Sequence, residues 1–315
     1  MAAPEASPDG REAVLANPRG FCAGVDRAIQ IVERALEVHG APVFVLHEIV
    51  HNQHVLERLR GLGARFVASL EEVPEGAVTV FSAHGVSDAV VDAASARSLQ
   101  VIDATCPLVT KVHRQAVRYE DQGREVILVG HPGHPEVEGT RGRIAGEVHV
   151  LSTPEEVHAL EVSDPERLAY VTQTTLSVDD TREVIDALLE RFPSIQGPAL
   201  KDICYATQNR QTAVKDMIDA VDVLIVVGSE NSSNSNRLRE LGERGGVPSY
   251  LVDRPDDVRP EWVEGHRIVG VTAGASAPEE LVQLILARLK DLGVPVAREL
   301  EGERETVVFQ MPEGL

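Results

Sequence analysis

The residues best suited to bind a metal or to react are three cysteines, Cys22, Cys106 and Cys204, in a chain of 315 residues. Each follows a short extended stretch and precedes about five turns of amphipathic sequence, as in VIDATCPLVTKVH at 101–113. No pair is close enough for a C-x-x-C motif, and an odd number argues against a disulfide framework. Since a helix start favours the thiolate over the thiol, each cysteine is a candidate metal ligand.

A single cysteine at such a junction can equally be a small buried apolar residue. Three cysteines in matched contexts, spaced 84 and 98 residues apart, favour a shared role instead. After each cysteine the sequence predicts a helix, a strand with a polar loop, and a further strand with a second polar loop. The chain therefore contains three copies of one plan.

The polar loops supply the other candidate site residues. The first loop of each copy lies 28 or 29 residues after the cysteine and the second lies 62 to 72 residues after it. First-loop candidates are His51, His134 with Glu136, and Ser232, Ser233 and Asn234, and second-loop candidates are His84, Thr174 and Ser276. Because ligands bind beyond the carboxyl ends of parallel strands, these loops are expected to face a ligand.

The predicted fold is α/β, with three similar domains related by pseudo-threefold symmetry around the point where the three thiolates meet. The composition agrees, since 43% of residues are hydrophobic and only 3% are aromatic. A core of valine, isoleucine, leucine and alanine is typical of buried parallel strands.

Three thiolates at one point suit zinc or an iron–sulfur cluster. In a [4Fe–4S] cluster, three cysteines leave one iron without a protein ligand and open to a substrate oxygen. Histidine, serine, threonine and asparagine around it form a donor-rich site for an anion. The run GSENSSNSNR lacks the ending of a P-loop and is also compatible with an ordinary turn and helix cap. Glu136 is the best candidate proton donor, although a solvated loop carboxylate is an alternative.

The formal net charge of -20 argues against a nucleic-acid-binding protein. The first 13 residues contain no apolar segment of a signal peptide, and the longest apolar run is far short of a membrane span. We therefore expect a disordered tail over 1–13 and a cytoplasmic, soluble protein.

Nine motifs in one order give the sequence a family resemblance. They are NPRGFCAGVDRA, HEIVHN, FSAHGVS, DATCPLVTKVH, GHPGHPEVEGT, TQTTLSVDDT, DICYATQNRQ, VGSENSSNSNRL and VTAGASAP. In these motifs the chain resembles the 4-hydroxy-3-methylbut-2-enyl diphosphate reductases of the non-mevalonate isoprenoid pathway. The resemblance implies three α/β domains around a central [4Fe–4S] cluster, one per chain, with one open iron.

The same resemblance implies a role for each candidate residue. Cys22, Cys106 and Cys204 would hold three irons, Glu136 would deliver protons, and Thr174 would lie near the substrate hydroxyl. The diphosphate would be bound by His51, His84, His134, Ser232, Ser233, Asn234 and Ser276. The implied reaction is reductive dehydroxylation of the allylic diphosphate to isopentenyl diphosphate and dimethylallyl diphosphate.

The domain boundaries expected on this basis follow the cysteines. The ranges are 24–106, 107–200 and 201–291 for the three domains, 14–23 joining the third, and 292–315 as a C-terminal strand and tail. No flavin or dinucleotide motif is evident, so electrons are expected from a separate ferredoxin or flavodoxin. Two other readings stay open: a zinc-dependent hydrolase of a phosphorylated metabolite, and a non-enzymatic iron–sulfur sensor.

Overall fold

The computed structural model describes residues 10–312 and 314–315. Within these residues the strands are β1 (Glu12–Leu15), β2 (Val43–Leu46), β3 (Ala64–Val67), β4 (Val78–Phe81), β5 (Gln100–Asp103), β6 (Glu125–Val129), β7 (Val148–Leu151), β8 (Leu168–Thr172), β9 (Val223–Val227), β10 (Ser249–Val252), β11 (Ile268–Ala273) and β12 (Val296–Glu299). The α-helices are α1 (Ala23–His39), α2 (Gln53–Leu62), α3 (Asp88–Ala96), α4 (Pro107–Asp121), α5 (Pro135–Arg141), α6 (Pro154–Ala159), α7 (Val178–Arg191), α8 (Tyr205–Ile218), α9 (Ser233–Arg244), α10 (Pro260–Val263) and α11 (Glu279–Asp291).

The chain forms two compact units. Of the described residues, unit 1 comprises 10–23, His51–Glu57 and Tyr205–Val308, and unit 2 comprises Gly24–Val50, Arg58–Cys204 and the described part of 309–315. In the described residues, unit 1 contains one sheet of order β10-β9-β11-β1-β12, and unit 2 contains two, β3-β2-β4-β5 and β7-β6-β8. All paired strands are parallel, which confirms the predicted α/β class.

The interior strand β9 is apolar on both faces because helices pack against both. In β9 of unit 1 all five residues are buried. Val223, Ile225 and Val227 belong to one core, while Leu224 and Val226 belong to a second core on the opposite face. This alternation follows from the two-residue period of a strand.

The three-stranded sheet of unit 2 is built in the same way. Leu168 and Tyr170 of β8 pack into one core, and Ala169 and Val171 pack into another. The polar segments that follow β8 and the other strands are therefore presented beyond the carboxyl ends of buried sheets.

The two ends of the chain differ in part from expectation. Residues 1–9 of the predicted disordered tail lie outside the described residues, whereas β1 already begins at Glu12. Ala13 is fully buried and pairs with Val269 in β11 and Val296 in β12, which explains why this part of the chain is ordered. Val296 also begins the only strand of the described C-terminal residues 292–312 and 314–315.

Each of the predicted ranges 24–106, 107–200 and 201–291 contains strands of a single sheet. The division into three separate domains stays a prediction. Across the described part of the chain, the helices are either too short or too polar to cross a bilayer.

Candidate functional site

The three cysteines occupy equivalent local positions. Each precedes a helix, α1, α4 or α8, and its backbone N–H donates to a carbonyl two residues beyond the end of a strand. The three bonds run from Cys22 to Ala275 (3.2 Å), from Cys106 to Ala83 (3.0 Å) and from Cys204 to Thr174 (3.0 Å). The repeat inferred from sequence therefore corresponds to a repeated backbone geometry at every cysteine.

All three cysteine side chains are partly exposed. A cysteine that serves only as a small apolar core residue is normally fully buried, so the alternative of a packing role does not describe these positions. Cysteine sulfurs are the ligands that hold iron–sulfur clusters, and partial exposure leaves these sulfurs accessible to a metal. The chemistry of the donor set thus fits such a cluster.

Unit 1 contains Cys22 together with several of the predicted site residues. The Ser276 hydroxyl donates to the backbone carbonyl of His51 (2.9 Å) and lies 3.3 Å from the Ser232 hydroxyl. The Asn234 side-chain oxygen accepts the N–H of Ala275 (2.8 Å), and the carbonyl of Ala275 accepts the N–H of Cys22. The serines and Asn234 are therefore connected to the cysteine loop by hydrogen bonds.

Ser232 also caps α9, because its hydroxyl accepts the N–H of Ser235 at 3.3 Å. The interpretation as a helix cap is thus correct for Ser232. It does not exclude a binding role, since a helix N-terminus presents N–H groups and a positive dipole end to an anion. Ser233, the first residue of α9, is half-buried beside it.

Unit 2 brings two of the predicted histidines together. The rings of His84 and His134 meet edge to face, with centroids 5.8 Å apart. The Nδ1 atom of His134 accepts the N–H of Glu136 at 3.1 Å, so a neutral His134 carries its proton on Nε2. Ser82 Oγ lies 3.3 Å from Nδ1 of His84. Imidazole N–H groups in this arrangement can donate to an anion.

Glu136 lies in the first turn of α5 and is 2% exposed, so the alternative of a solvated loop carboxylate is wrong. Its Oε1 accepts the N–H of Thr174 (2.6 Å), and its Oε2 lies 2.9 Å from the Thr174 hydroxyl. Burial raises the pKa of Glu136 from its ordinary 4.5 to about 7, against the opposing effect of the Thr174 hydrogen bonds. A carboxyl with this pKa can hold and release a proton near neutral pH.

Thr174 links the proton-holding carboxyl to a cysteine. Its side chain and N–H bind Glu136, and its carbonyl accepts the N–H of Cys204. The N–H of Cys106 likewise donates to the carbonyl of Ala83, the residue before His84. The predicted residues of unit 2 thus form one connected group.

A family model described as LytB protein matches residues 13–290. The chain belongs to the LytB family. Among LytB-family proteins it is 59% identical over 304 residues to 4-hydroxy-3-methylbut-2-enyl diphosphate reductase 2 of Burkholderia mallei, covering 96% of this chain and 93% of that protein.

A second relative, 4-hydroxy-3-methylbut-2-enyl diphosphate reductase of Hahella chejuensis, is 60% identical over 305 residues, 96% of each chain. Among solved structures, E-1-hydroxy-2-methyl-but-2-enyl-4-diphosphate reductase from Plasmodium falciparum matches with a TM-score of 0.92 at 35% identity, covering 96% of each chain. Similarity to LytB-family proteins therefore extends over nearly the whole sequence.

One buried acid beside the candidate site was not predicted from the sequence. Asp202, two residues before Cys204, is 3% exposed and accepts the N–H of Thr172 (3.4 Å) and the ammonium of Lys111 (3.2 Å). Burial raises its pKa, and its charge contributes to the raised pKa of Glu136. The only available signal was its short distance from a cysteine, as for Asp103 before Cys106.

Proposed function

We propose that this LytB-family protein removes the hydroxyl group of (E)-4-hydroxy-3-methylbut-2-enyl diphosphate by reduction, yielding isopentenyl diphosphate and dimethylallyl diphosphate. The substrate takes up two electrons and two protons, its C–O bond breaks, a C–H bond forms, and the hydroxyl leaves as water. The observation that carries this proposal is the buried contact between Glu136 and Thr174, because it joins a carboxyl of pKa about 7 to the residue that fixes Cys204.

We assign Cys22, Cys106 and Cys204 as ligands of one [4Fe–4S] cluster per chain. Such a cluster supplies single electrons, and an iron without a protein thiolate acts as a Lewis acid. Two contacts support a common site for the three loops. In unit 1 the N–H of Ala23 donates to the Tyr205 hydroxyl (3.4 Å), and these residues directly follow two of the cysteines.

The second supporting contact lies in unit 2. The ammonium of Lys111, five residues after Cys106, donates to the carbonyl of Lys201 (2.8 Å), three residues before Cys204. We retain the proposal of three domains with pseudo-threefold symmetry around this centre.

Proton delivery follows from the geometry around Glu136. Because Oε1 accepts the Thr174 N–H, the proton of the neutral carboxyl resides on Oε2, which faces the Thr174 hydroxyl. That hydroxyl can accept this proton while donating its own onward to the leaving oxygen. Water is then the leaving group, which lowers the barrier relative to hydroxide.

We assign the diphosphate to seven residues. Two groups of hydrogen-bond donors would share the charge: one is His84 and His134, and the other is His51, Ser232, Ser233, Asn234 and Ser276. The N-terminus of α9 adds backbone N–H groups to the second group. Binding of the distant diphosphate would orient the reacting carbon against the proton donor.

The assay of this function uses anaerobically purified protein, the allylic diphosphate and a chemical reductant. We expect consumption of the substrate with formation of both products and a brown protein that contains iron and sulfide. A colourless protein with zinc would favour the hydrolase, and an iron–sulfur protein without turnover would favour the sensor.

We propose that the physiological electron donor is a small acidic carrier, a ferredoxin or a flavodoxin, and that the reaction takes place in the cytoplasm. The overall charge of -20 opposes an acidic partner, so docking requires a local basic surface. Arg114 and Arg118, exposed one turn apart on α4, the helix that begins after Cys106, are candidates for this surface.

Reduction by an acidic carrier should therefore slow as ionic strength rises, because salt screens the attraction. Reduction by a small uncharged reductant should not. Replacing Arg114 and Arg118 by glutamine should weaken the salt dependence, whereas Arg182→Gln on α7 should leave it intact. Rates with the carrier that are insensitive to salt would argue against an electrostatic dock.

A further inference from the structure

We propose that Arg27, Lys111 and Arg210 are positioning residues that hold the three cysteine loops in the geometry needed to bind iron, an inference that rests on the proposed function. Each lies early in the helix that follows one cysteine, five residues after it for Arg27 and Lys111 and six for Arg210. Each donates a hydrogen bond to at least one backbone carbonyl that precedes a different cysteine.

The contacts run from each cysteine's helix to the residues before the next cysteine in a cyclic order. None of these bonds joins unit 1 to unit 2. Arg27, after Cys22, donates to carbonyls before Cys106, and Lys111, after Cys106, donates to a carbonyl before Cys204. Arg210, after Cys204, donates to carbonyls before Cys22, which completes the order. Three cations at similar offsets, each bonded to residues that lie one to three positions before another cysteine, indicate a repeated arrangement and not three unrelated charges.

Arg210 makes the most complete of these contacts. Its side chain is fully buried, and Nε and Nη2 donate to the carbonyl of Gly20 at 2.9 and 2.7 Å. Nη2 also donates to the carbonyl of Phe21 at 3.1 Å. The same peptide group, between Phe21 and Cys22, donates its N–H to Ala275, so both of its polar groups are bonded. The peptide cannot rotate without losing a hydrogen bond.

The Cys106 loop is held in the same way. Nη1 of Arg27 donates to the carbonyls of Ala104 (3.5 Å) and Thr105 (3.2 Å). The peptide between Thr105 and Cys106 donates its N–H to Ala83, and again both polar groups are bonded. Nη1 carries two N–H bonds, so this one nitrogen can donate to two neighbouring carbonyls.

Lys111 has an ammonium group in place of a guanidinium, and it holds the Cys204 loop less completely than the arginines hold theirs. It donates to the carbonyl of Lys201 (2.8 Å) and to the carboxylate of Asp202 (3.2 Å), while its side chain is 51% exposed. Its contacts lie two and three residues before Cys204 rather than in the adjoining peptide. The Cys204 loop should therefore depend least on its cation.

The segment after β12 accepts hydrogen bonds from both arginines. Glu305 binds Arg210 through both carboxylate oxygens, at 2.8 Å to Nη1 and 3.2 Å to Nη2, and compensates the buried positive charge. Gln310 accepts a bond from Nε of Arg27 at 2.7 Å. The C-terminal segment thus stabilises two cysteine loops without containing a ligand.

The test measures each cysteine separately. Full-length protein, freed of iron by a chelator under anaerobic conditions, is pulsed with iodoacetamide, and the alkylation rate of each cysteine is determined by mass spectrometry. We expect Arg27→Met to raise the rate at Cys106 about fivefold, and Arg210→Met to raise it at Cys22 by at least as much, the change expected when one hydrogen bond that closes a loop is lost. Lys111→Met should produce a smaller rise at Cys204.

A general loss of stability would raise all three rates together, and that result, or three unchanged rates, would overturn the proposal. Arg34→Met on α1 and Lys215→Met on α8 serve as controls of equal charge change and should alter no rate. If Arg210→Met fails to fold, Glu305→Gln replaces it, with the rise again confined to Cys22. Iron release to a chelator from the loaded variants should rank in the same order.

These rates report on thiols rather than on turnover. They can be measured even if the purified protein carries no iron or does not reduce the allylic diphosphate. Failure of the proposed function and failure of the positioning role are therefore distinguishable.

Discussion

Replacing Cys106 by serine should reduce the iron and sulfide content of anaerobically purified protein from about four each per chain to a small fraction of that value. A serine hydroxyl ionises much less readily than a thiol and is a poor ligand for iron. The fold should survive, because the contact of Cys106 with Ala83 is made by the backbone and not by sulfur. Iron and sulfide analysis and the visible absorption spectrum measure the effect.

The matched control is Thr110→Ser, one turn further along α4. The Thr110 hydroxyl donates to the carbonyl of Cys106 at 3.3 Å, and serine can preserve this bond. Thr110→Ser should therefore retain its iron. If Cys106→Ser kept as much iron and sulfide as the unmodified protein, Cys106 would not be a ligand.

Replacing Glu136 by glutamine should lower turnover about a hundredfold or more, the usual range for loss of a general acid, while the cluster is retained. The amide oxygen can still accept the Thr174 N–H, and the amide nitrogen can donate to the Thr174 hydroxyl, so the packing is preserved. Glu138→Gln, an exposed change two residues later on α5, should have little effect. Steady-state rates with a chemical reductant are the measurement, and equal rates for Glu136→Gln and the parent would remove Glu136 from the proton path.

Both turnover and the free energy of unfolding should decrease as pH rises. Glu136 must be protonated to act as an acid, and burial raises its pKa to about 7, so turnover should fall as pH rises above 7. Because its pKa is raised on folding, the stabilisation from Glu136 is complete below pH 4.5 and is lost as pH rises to about 7. Glu136→Gln should lack both trends. Activity profiles and urea unfolding across this pH range provide the comparison.

Much of the site could be predicted because its residues lie at ends of regular elements. Cysteines between an apolar stretch and an amphipathic helix, and polar loops at repeated offsets, are visible in a single sequence. The structure places these loops beyond strand ends, as with Thr174 after β8 and Ser276 after β11. Glu136 could be named as a candidate proton donor because it is a carboxylic acid two residues after His134 in a polar loop.

The features that escaped prediction depend on contacts between distant residues. The burial of Glu136 requires Thr174, which lies 38 residues away. Arg27 and Arg210 resemble the solvated face of an amphipathic helix, but the carbonyls that they bind lie up to 78 and 190 residues away. Local sequence contains no signal for such partners. The order of β1 from Glu12 likewise depends on strands near the other end of the chain.

We propose that Cys22, Cys106 and Cys204 hold a cluster with one iron open to the allylic diphosphate. Mössbauer spectroscopy of protein enriched in the resonant iron isotope, with and without this substrate, tests it most directly. We predict the spectrum of a [4Fe–4S] cluster in which the substrate shifts the signal of a single iron. A protein without iron, or a cluster whose four irons are all unaffected by saturating substrate, would contradict the account.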